Sequence, residues 1–268
     1  MLDGKKVAET VYENLKNFPR PEKFLAGILA GGDPASSGFL KRKFSAAEKL
    51  GVDFRLYNFP ADISGDKLRE EVGRITNQSK CGGVILQLPL PGNINAQYVL
   101  NAIPPGKDVD VLGERALGAF YAGRGKVLPP SGATVEEILK KFPIDLKESV
   151  VAVVGAGRLI GKPVAAWLSG KVKELIVLDK GSDYGELKKA NLVILGAGVA
   201  GLIKGEMLKD GAGAIDFGYA KNFDGKISGD LDLNSNLDHL SFYTPTPGGT
   251  GPILVSKLLE NFYKLNQN

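Results

Sequence analysis

The stretch Val150-Val-Ala-Val-Val154-Gly155-Ala-Gly157-Arg158-Leu159-Ile-Gly161-Lys-Pro163 carries a buried-strand pattern straight into a glycine turn, and a helical Val-Ala-Ala-Trp-Leu follows it. A strand, a glycine turn and a helix in that order set unpaired backbone N–H groups and the positive end of a helix dipole at one point, where a pyrophosphate is held. Side chains in the turn would hold the phosphates off. Gly155, Gly157 and Gly161 therefore mark a dinucleotide site, with Arg158 and Leu159 in the same turn. The spacing is G-x-G-x-x-x-G, one residue longer than the usual fingerprint. The next apolar run, Leu175 to Leu178, ends in Asp179, where an acid bonds the adenosine ribose hydroxyls. Such an acid repels a 2′-phosphate and leans the site toward NAD over NADP. The alternative these residues leave open is a tight strand-to-helix turn that binds no nucleotide, with Asp179 a turn former.

Outward from this stretch, short apolar runs recur at Phe24 to Ala30, Phe54 to Phe59, Gly83 to Leu88, Leu192 to Gly196 and Ala214 to Phe217, separated by helical patterns. Such alternation predicts a parallel α/β architecture with helices on both faces. The 268 residues suffice for two modest cores. A Gly- and Pro-rich stretch ending at Pro129-Pro130-Ser131-Gly132 suggests a change of lobe between Phe120 and Pro130. The 34 Lys and Arg are interspersed with 30 Asp and Glu, so the net charge of +4 forms no basic block and implies no nucleic-acid partner. No apolar run near the start is long enough for a signal sequence or a membrane span, and the one cysteine, Cys81, has no disulfide partner in the chain. The cytoplasm is the expected compartment. One His and one Cys also exclude a zinc cluster and a Cys/His nucleophile pair, so no metal is expected and catalysis falls to Lys, carboxylates, amides, hydroxyls or a cofactor.

Asp33 to Gly51 has capping residues at its start and a glycine stop at its end, and so predicts one helix. At 100° per residue Phe39, Leu40, Phe44, Ala46, Ala47 and Leu50 share one apolar arc. Lys43 falls inside it, while Lys41, Arg42, Glu48 and Lys49 lie on the other side. A lysine centred among core residues either snorkels or serves a site.

Further motifs run the length of the chain: Leu2-Asp-Gly-Lys5, Ala46-Ala-Glu-x-x-Gly51, Gly83-Val-Ile-Leu-Gln87-Leu88-Pro89-Leu-Pro91, Lys107-Asp-Val-Asp110, Gly161-Lys-Pro163, Gly211-Ala, Ile215-Asp216, Gly229-Asp-Leu-Asp232 and Thr244-Pro-Thr-Pro-Gly-Gly-Thr-Gly-Pro252. In this order and spacing they resemble the bifunctional methylenetetrahydrofolate dehydrogenase/methenyltetrahydrofolate cyclohydrolases, over nearly the whole chain. The resemblance implies a folate-binding α/β lobe over 1–122, completed by a returning helix over 253–268. It implies a Rossmann-type doubly wound domain over 123–252 that binds NAD or NADP, with the reaction centre between the lobes. Lys43 matches the family's catalytic lysine, Gln87 the glutamine that holds it, and Asp110 the acid that grips the pterin. Phe39, Leu88, Pro89, Pro247, Gly248, Gly249 and Gly251 would line the folate, and Thr250 would join the glycine turn and Asp179 around the cofactor. The implied reaction is oxidation of 5,10-methylenetetrahydrofolate, then hydrolysis of the methenyl product to 10-formyltetrahydrofolate, in a homodimer joined through the cofactor domain.

The chain also departs from that family. Phe39 stands where the family has a tyrosine, so the ring survives and the hydroxyl does not; hydrolysis is more affected than hydride transfer. Val111 replaces a glycine, Pro129-Pro-Ser-Gly132 replaces Pro-Cys-Thr-Pro, and Gly155-Ala-Gly157 replaces Gly-Arg-Ser. The lost arginine is a partner for a 2′-phosphate, which agrees with the lean toward NAD; Arg158, able to swing in, keeps NADP open. Two alternatives remain: a dehydrogenase without cyclohydrolase activity, and a non-catalytic homologue that binds folate or dinucleotide.

Overall fold

The computed structural model describes residues 1–268 apart from Asn93, Phe223 and Asn268. The chain forms two compact units, one comprising Thr10–Pro130 and Val255–Asn268, the other Met1–Glu9 and Ser131–Leu254. The change of unit falls at 130/131, at the end of the Gly- and Pro-rich stretch. The first nine residues belong with the second unit, where the Leu2 N–H donates to the Tyr243 carbonyl (2.9 Å) and the Gly4 N–H to that of Gly248 (3.0 Å).

In chain order the helices are α1 (Gly4–Lys16), α2 (Pro34–Lys49), α3 (Gly65–Thr76), α4 (Ala96–Leu100), α5 (Glu114–Tyr121), α6 (Pro130–Lys141), α7 (Gly161–Leu168) and α8 (Thr250–Asn266). The strands are β1 (Phe24–Ala30), β2 (Phe54–Phe59), β3 (Cys81–Leu86), β4 (Val150–Val154), β5 (Glu174–Leu178), β6 (Leu192–Leu195), β7 (Gly213–Asp216), β8 (Ala220–Lys221), β9 (Ile227–Ser228) and β10 (Phe242–Tyr243). The expected strand over 83–88 ends at Leu86; the Gln87 N–H still reaches the Ile28 carbonyl (2.9 Å), and Pro89 has no N–H with which to extend the ladder.

In the three-stranded unit the order is β2-β1-β3, all parallel. The central β1 is buried on both faces, which is why it reads as an unbroken apolar run. Its residues alternate between two cores. Leu25 faces α1, α2 and α8 through Val11, Leu40, Ala47, Leu258 and Phe262; Phe24, Ala26 and Ile28 face α3 and α4 through Leu68, Val72, Ile75 and Val99. Local signals start the helices: the Asp33 side chain accepts the Ser36 N–H (2.7 Å) ahead of Pro34 in α2, and the Ser64 side chain accepts that of Lys67 in α3. The last helix is tied in by buried Asn261, whose side-chain amide donates to the carbonyls of Val109 (2.9 Å) and Leu128 (2.8 Å).

In the other unit the order is β10-β7-β6-β4-β5, again parallel, and β8 and β9 form a small antiparallel pair. From β4 the chain passes to β5 on one side, then back across to β6 on the other. The strand order reverses at β4, and the glycine turn follows directly from that strand. The two-residue β10 is too short to announce itself as an apolar run, and its Phe242 ring stacks on Phe142 at 4.4 Å.

Asn261→Ala would leave two carbonyls without their donor. We expect a loss of about 2–3 kcal/mol, read as a lower urea midpoint at unchanged slope; an unchanged midpoint would show that α8 is held by its apolar face alone.

Candidate active site

Three polar side chains from separate parts of the three-stranded unit meet at the C-terminal edge of its sheet. Lys43 sits in the middle of α2, Gln87 follows β3, and Asp110 lies in the turn that runs past β3. The Lys43 ammonium donates to Gln87 Oε1 at 3.3 Å and lies 4.0 Å from Asp110 Oδ2. The Lys43 and Asp110 side chains are only 12% and 15% exposed, and neighbours on the outer face of α2 (Lys41, Arg42 and Lys49) are exposed. Lys43 therefore reaches a polar site and does not snorkel to solvent. The Gln87 amide nitrogen donates to the Leu88 carbonyl (2.8 Å), which orients Oε1 toward the lysine. Leu88 is half-buried and Pro89 exposed beside it.

Asp110 is held by its neighbours. Buried Asp108 accepts the N–H groups of Leu112 (2.9 Å) and Gly113 (2.7 Å) on one carboxylate oxygen, winding residues 108–113 into a tight turn. Burial pushes the Asp108 carboxyl up to about 6, with Asp110 adding to the rise and the Gly113 N–H opposing it. Burial also raises Asp110, against the pull of the Lys43 charge. The turn forces Val111 to φ +56°, a conformation that costs a β-branched residue of order 1–3 kcal/mol. Its buried side chain packs with Ala116 and Val127, partly offsetting that strain. Sequence reading of Lys107-Asp-Val-Asp110 singles out the second acid and misses the first, which stands between Lys107 and Val109 and carries no local sign of burial. Phe39 lies one turn before Lys43 on α2, with the Arg42 guanidinium 4.9 Å from its ring centre.

In the five-stranded unit the three glycines of the turn play different parts. A Cβ on Gly155 would lie 2.7 Å from the backbone of Ala197, and one on Gly161 only 1.7 Å from the Gly155 carbonyl oxygen. Both are required by backbone packing. A Cβ on Gly157 would meet nothing nearer than 4.0 Å, so at that position the space belongs to whatever approaches from outside. Arg158 and Leu159 are exposed in the same turn. Asp179 is exposed at the end of β5, its N–H donating to Ser182 Oγ (3.0 Å). This cradle fits a dinucleotide.

The same unit carries Pro247 to Gly251. Gly248 has φ +102°, and a Cβ on Gly248 or Gly251 would meet nothing within 4 Å, whereas one on Gly249 would lie 2.4 Å from the Pro245 carbonyl. Thr250 is buried and its hydroxyl donates to the Asp216 carbonyl (2.7 Å), so any ligand contact from it has to come from its backbone. Among the described residues no group of three His, Cys, Asp or Glu is placed to hold a metal ion.

A glycine turn at the switch point of one parallel sheet, and a half-buried lysine and acid around a buried glutamine at the edge of another, define a two-unit α/β dehydrogenase. Residues 2–110 match the catalytic-domain model of tetrahydrofolate dehydrogenase/cyclohydrolase, and residues 129–268 match that family's NAD(P)-binding domain. The chain belongs to the tetrahydrofolate dehydrogenase/cyclohydrolase family. The bifunctional protein FolD of Nautilia profundicola is 35% identical over 279 residues, spanning 100% of this chain and 97% of the relative. The bifunctional FolD of Campylobacter jejuni is similar in structure, with a TM-score of 0.93 and 31% identity over 98% of this chain and 97% of that one. The Trypanosoma brucei methylenetetrahydrofolate dehydrogenase-cyclohydrolase, solved with NADP and an inhibitor, has a TM-score of 0.91 and 27% identity over 99% of this chain and 96% of that one.

The glycine roles separate in a pair of variants. Gly161→Ala should destabilise the protein, whereas Gly157→Ala should melt like the parent yet bind dinucleotide at least about tenfold more weakly. Melting curves beside a titration with NAD and NADP check both; full affinity in Gly157→Ala would remove the turn from the binding site.

Proposed function

We propose that this protein oxidises 5,10-methylenetetrahydrofolate with a nicotinamide dinucleotide and hydrolyses the methenyl product to 10-formyltetrahydrofolate. The observation that carries this reading is the meeting of Lys43, Gln87 and Asp110, in a chain that also presents the glycine cradle. Gly155, Gly157 and Gly161 would hold the pyrophosphate and Asp179 the adenosine ribose; when bound, the dinucleotide supplies the hydride acceptor. Asp110, the acid matched to the pterin, fixes the folate by bonding to its ring N–H groups. The tight turn wound by Asp108 keeps that carboxylate from moving with solvent. Pro247 to Gly251 offers open backbone against which a flat ring can lie.

Loss of hydride leaves a methenyl carbon bonded to two nitrogens and carrying positive charge. Water adds to that carbon as the neutral amine of Lys43 takes a proton from the water oxygen, and the carbon–N5 bond breaks as the remaining hydroxyl proton passes to N5. The formyl group remains on N10. The Gln87 contact holds the lysine amine in reach of the water, a role for which positioned acid–base groups contribute about 10²–10⁴-fold.

Phe39 favours a second reading in which the dehydrogenase persists and hydrolysis is slow, since the ring cannot hydrogen-bond the lysine or the water. For the cofactor we favour NAD: the exposed Asp179 carboxylate repels a 2′-phosphate, and Ala156 offers it no cation. The same reading carries a homodimer joined through the five-stranded unit and a cytoplasmic location. No described helix is long and apolar enough to cross a membrane.

With 5,10-methylenetetrahydrofolate, the parent should reduce NAD in preference to NADP without methenyl build-up, and Lys43→Ala should accumulate methenyl product, its hydrolysis down by about 10²–10⁴-fold. Phe39→Tyr should speed hydrolysis. Absorbance of reduced cofactor and methenyl product separates the cases: build-up in the parent supports the second reading, and no cofactor reduction at all overturns both. Asp179→Ser should narrow the preference for NAD; an unchanged KM ratio for the two cofactors would clear Asp179 of that role.

A further inference from the structure

Two motifs, Ile215-Asp216 and Gly229-Asp230, take no part in the chemistry above, yet both aspartates are completely buried. Each carboxylate collects three backbone N–H groups. Asp230 Oδ2 accepts those of Ala197 (2.6 Å) and Gly198 (3.2 Å), and its Oδ1 accepts that of Val199 (2.8 Å). Asp216 Oδ1 accepts those of Gly218 (2.6 Å) and Asp230 itself (3.2 Å), and its Oδ2 accepts that of Leu231 (3.0 Å). The two aspartates are therefore linked in series. The backbone on both sides is shaped to admit them: a Cβ on Gly229 would lie 1.9 Å from Asp216 Oδ2, and one on Gly218 2.4 Å from Asp230 Oδ1.

What the pair holds is the loop leaving β6. Three successive N–H groups of that loop, from Ala197 to Val199, point at one carboxylate, and Gly201 and Ile203 continue the hold by donating to the carbonyls of Gly229 and Asp230 (both 2.9 Å). This loop backs the glycine turn. Ala197 is the backbone that a Cβ on Gly155 would strike, and a Cβ on Gly196 would lie 2.6 Å from the side chain of Ile160. At its other end the pair meets Thr250, through the Asp216 carbonyl, while the Asp216 N–H donates to Thr244 Oγ1 (2.7 Å). The glycine turn, the loop after β6 and the Pro247 to Gly251 segment are thus joined through two buried acids.

We propose that Asp216 and Asp230 are positioning residues for the dinucleotide reaction: the linked carboxylates hold the loop after β6 against the glycine turn, so that the cofactor cradle is formed before the cofactor arrives. The inference rests on the reading that this unit takes a nicotinamide dinucleotide. An apolar pair would fill the same volume without organising anything. Three N–H groups of the loop aimed at Asp230, whose own N–H is held by Asp216, set one loop conformation, and loss of charge-assisted bonds of this kind weakens an equilibrium that depends on them by about tenfold to a hundredfold.

Asp230→Asn tests this, with the single tryptophan, Trp167 on the helix that follows the glycine turn, as the binding reporter. We expect the Kd and KM for NAD to rise together by at least about tenfold, kcat at saturating NAD to stay within about threefold, and amides 197–199 to exchange faster while those of β4 and β6 remain protected. A role in stability alone would lower the melting temperature and the active fraction without raising KM, and that result, or unchanged affinity, overturns the proposal. If Asp230→Asn does not fold, Gly198→Ala strains the same loop at φ +72° from its exposed side; unchanged NAD affinity there also overturns it. A parent protein that binds neither NAD nor NADP overturns instead the reading of the unit.

Discussion

Parallel strand pairing is the constraint on which the rest of this molecule depends. A parallel strand reaches its neighbour only by a crossover, so all the strands of each main sheet end on the same edge and release their loops there. In the three-stranded unit that edge receives Gln87 from β3 and, through the helix after β1, Lys43. In the five-stranded unit it receives the glycine turn from β4, the loop from β6 and Asp216 from β7. Both units reverse their strand order at the first strand of the sheet.

Each site is then stiffened by acids that a solvent-facing reading would not place inside. Asp108 winds the turn that carries Asp110, and Asp230 gathers the loop behind Gly155. All the donors to these carboxylates are backbone N–H groups, so they fix main-chain shape independently of neighbouring side chains. Burial alone would expel such groups or hold them neutral, and even with the backbone donors pulling against it Asp108 stands at about 6 and Asp216 at about 7. The backbone donors work in the opposite direction, and through them the acids become structural parts.

Two departures from the family pattern sit close to Lys43 and Asp110. Phe39 keeps a ring and loses a hydroxyl one turn from Lys43, and Val111 accepts a left-handed backbone next to Asp110 in exchange for apolar contact with Ala116 and Val127. The first changes which proton steps have a partner. The second changes how firmly Asp110 is held, since a valine in that conformation persists only where its surroundings over-determine it.

The sequence by itself determined the local order: which runs are strands, that the helix from Asp33 carries Lys43 on its apolar arc, and that a strand enters a glycine turn and ends at Gly161. These are short-range matters, set by side-chain period, capping and the steric needs of a turn. It did not show the two-residue strand at Phe242, the membership of Met1–Glu9 in the five-stranded unit, or the work of Asp108, Asp216 and Asp230. Those depend on groups far apart in the chain meeting after folding, as when Asp230 meets Ala197 or Asn261 meets Val109. An aspartate reads alike in sequence whether it faces water or three buried N–H groups, and only the tertiary structure decides between them, because the energy of a carboxylate is set by what surrounds it.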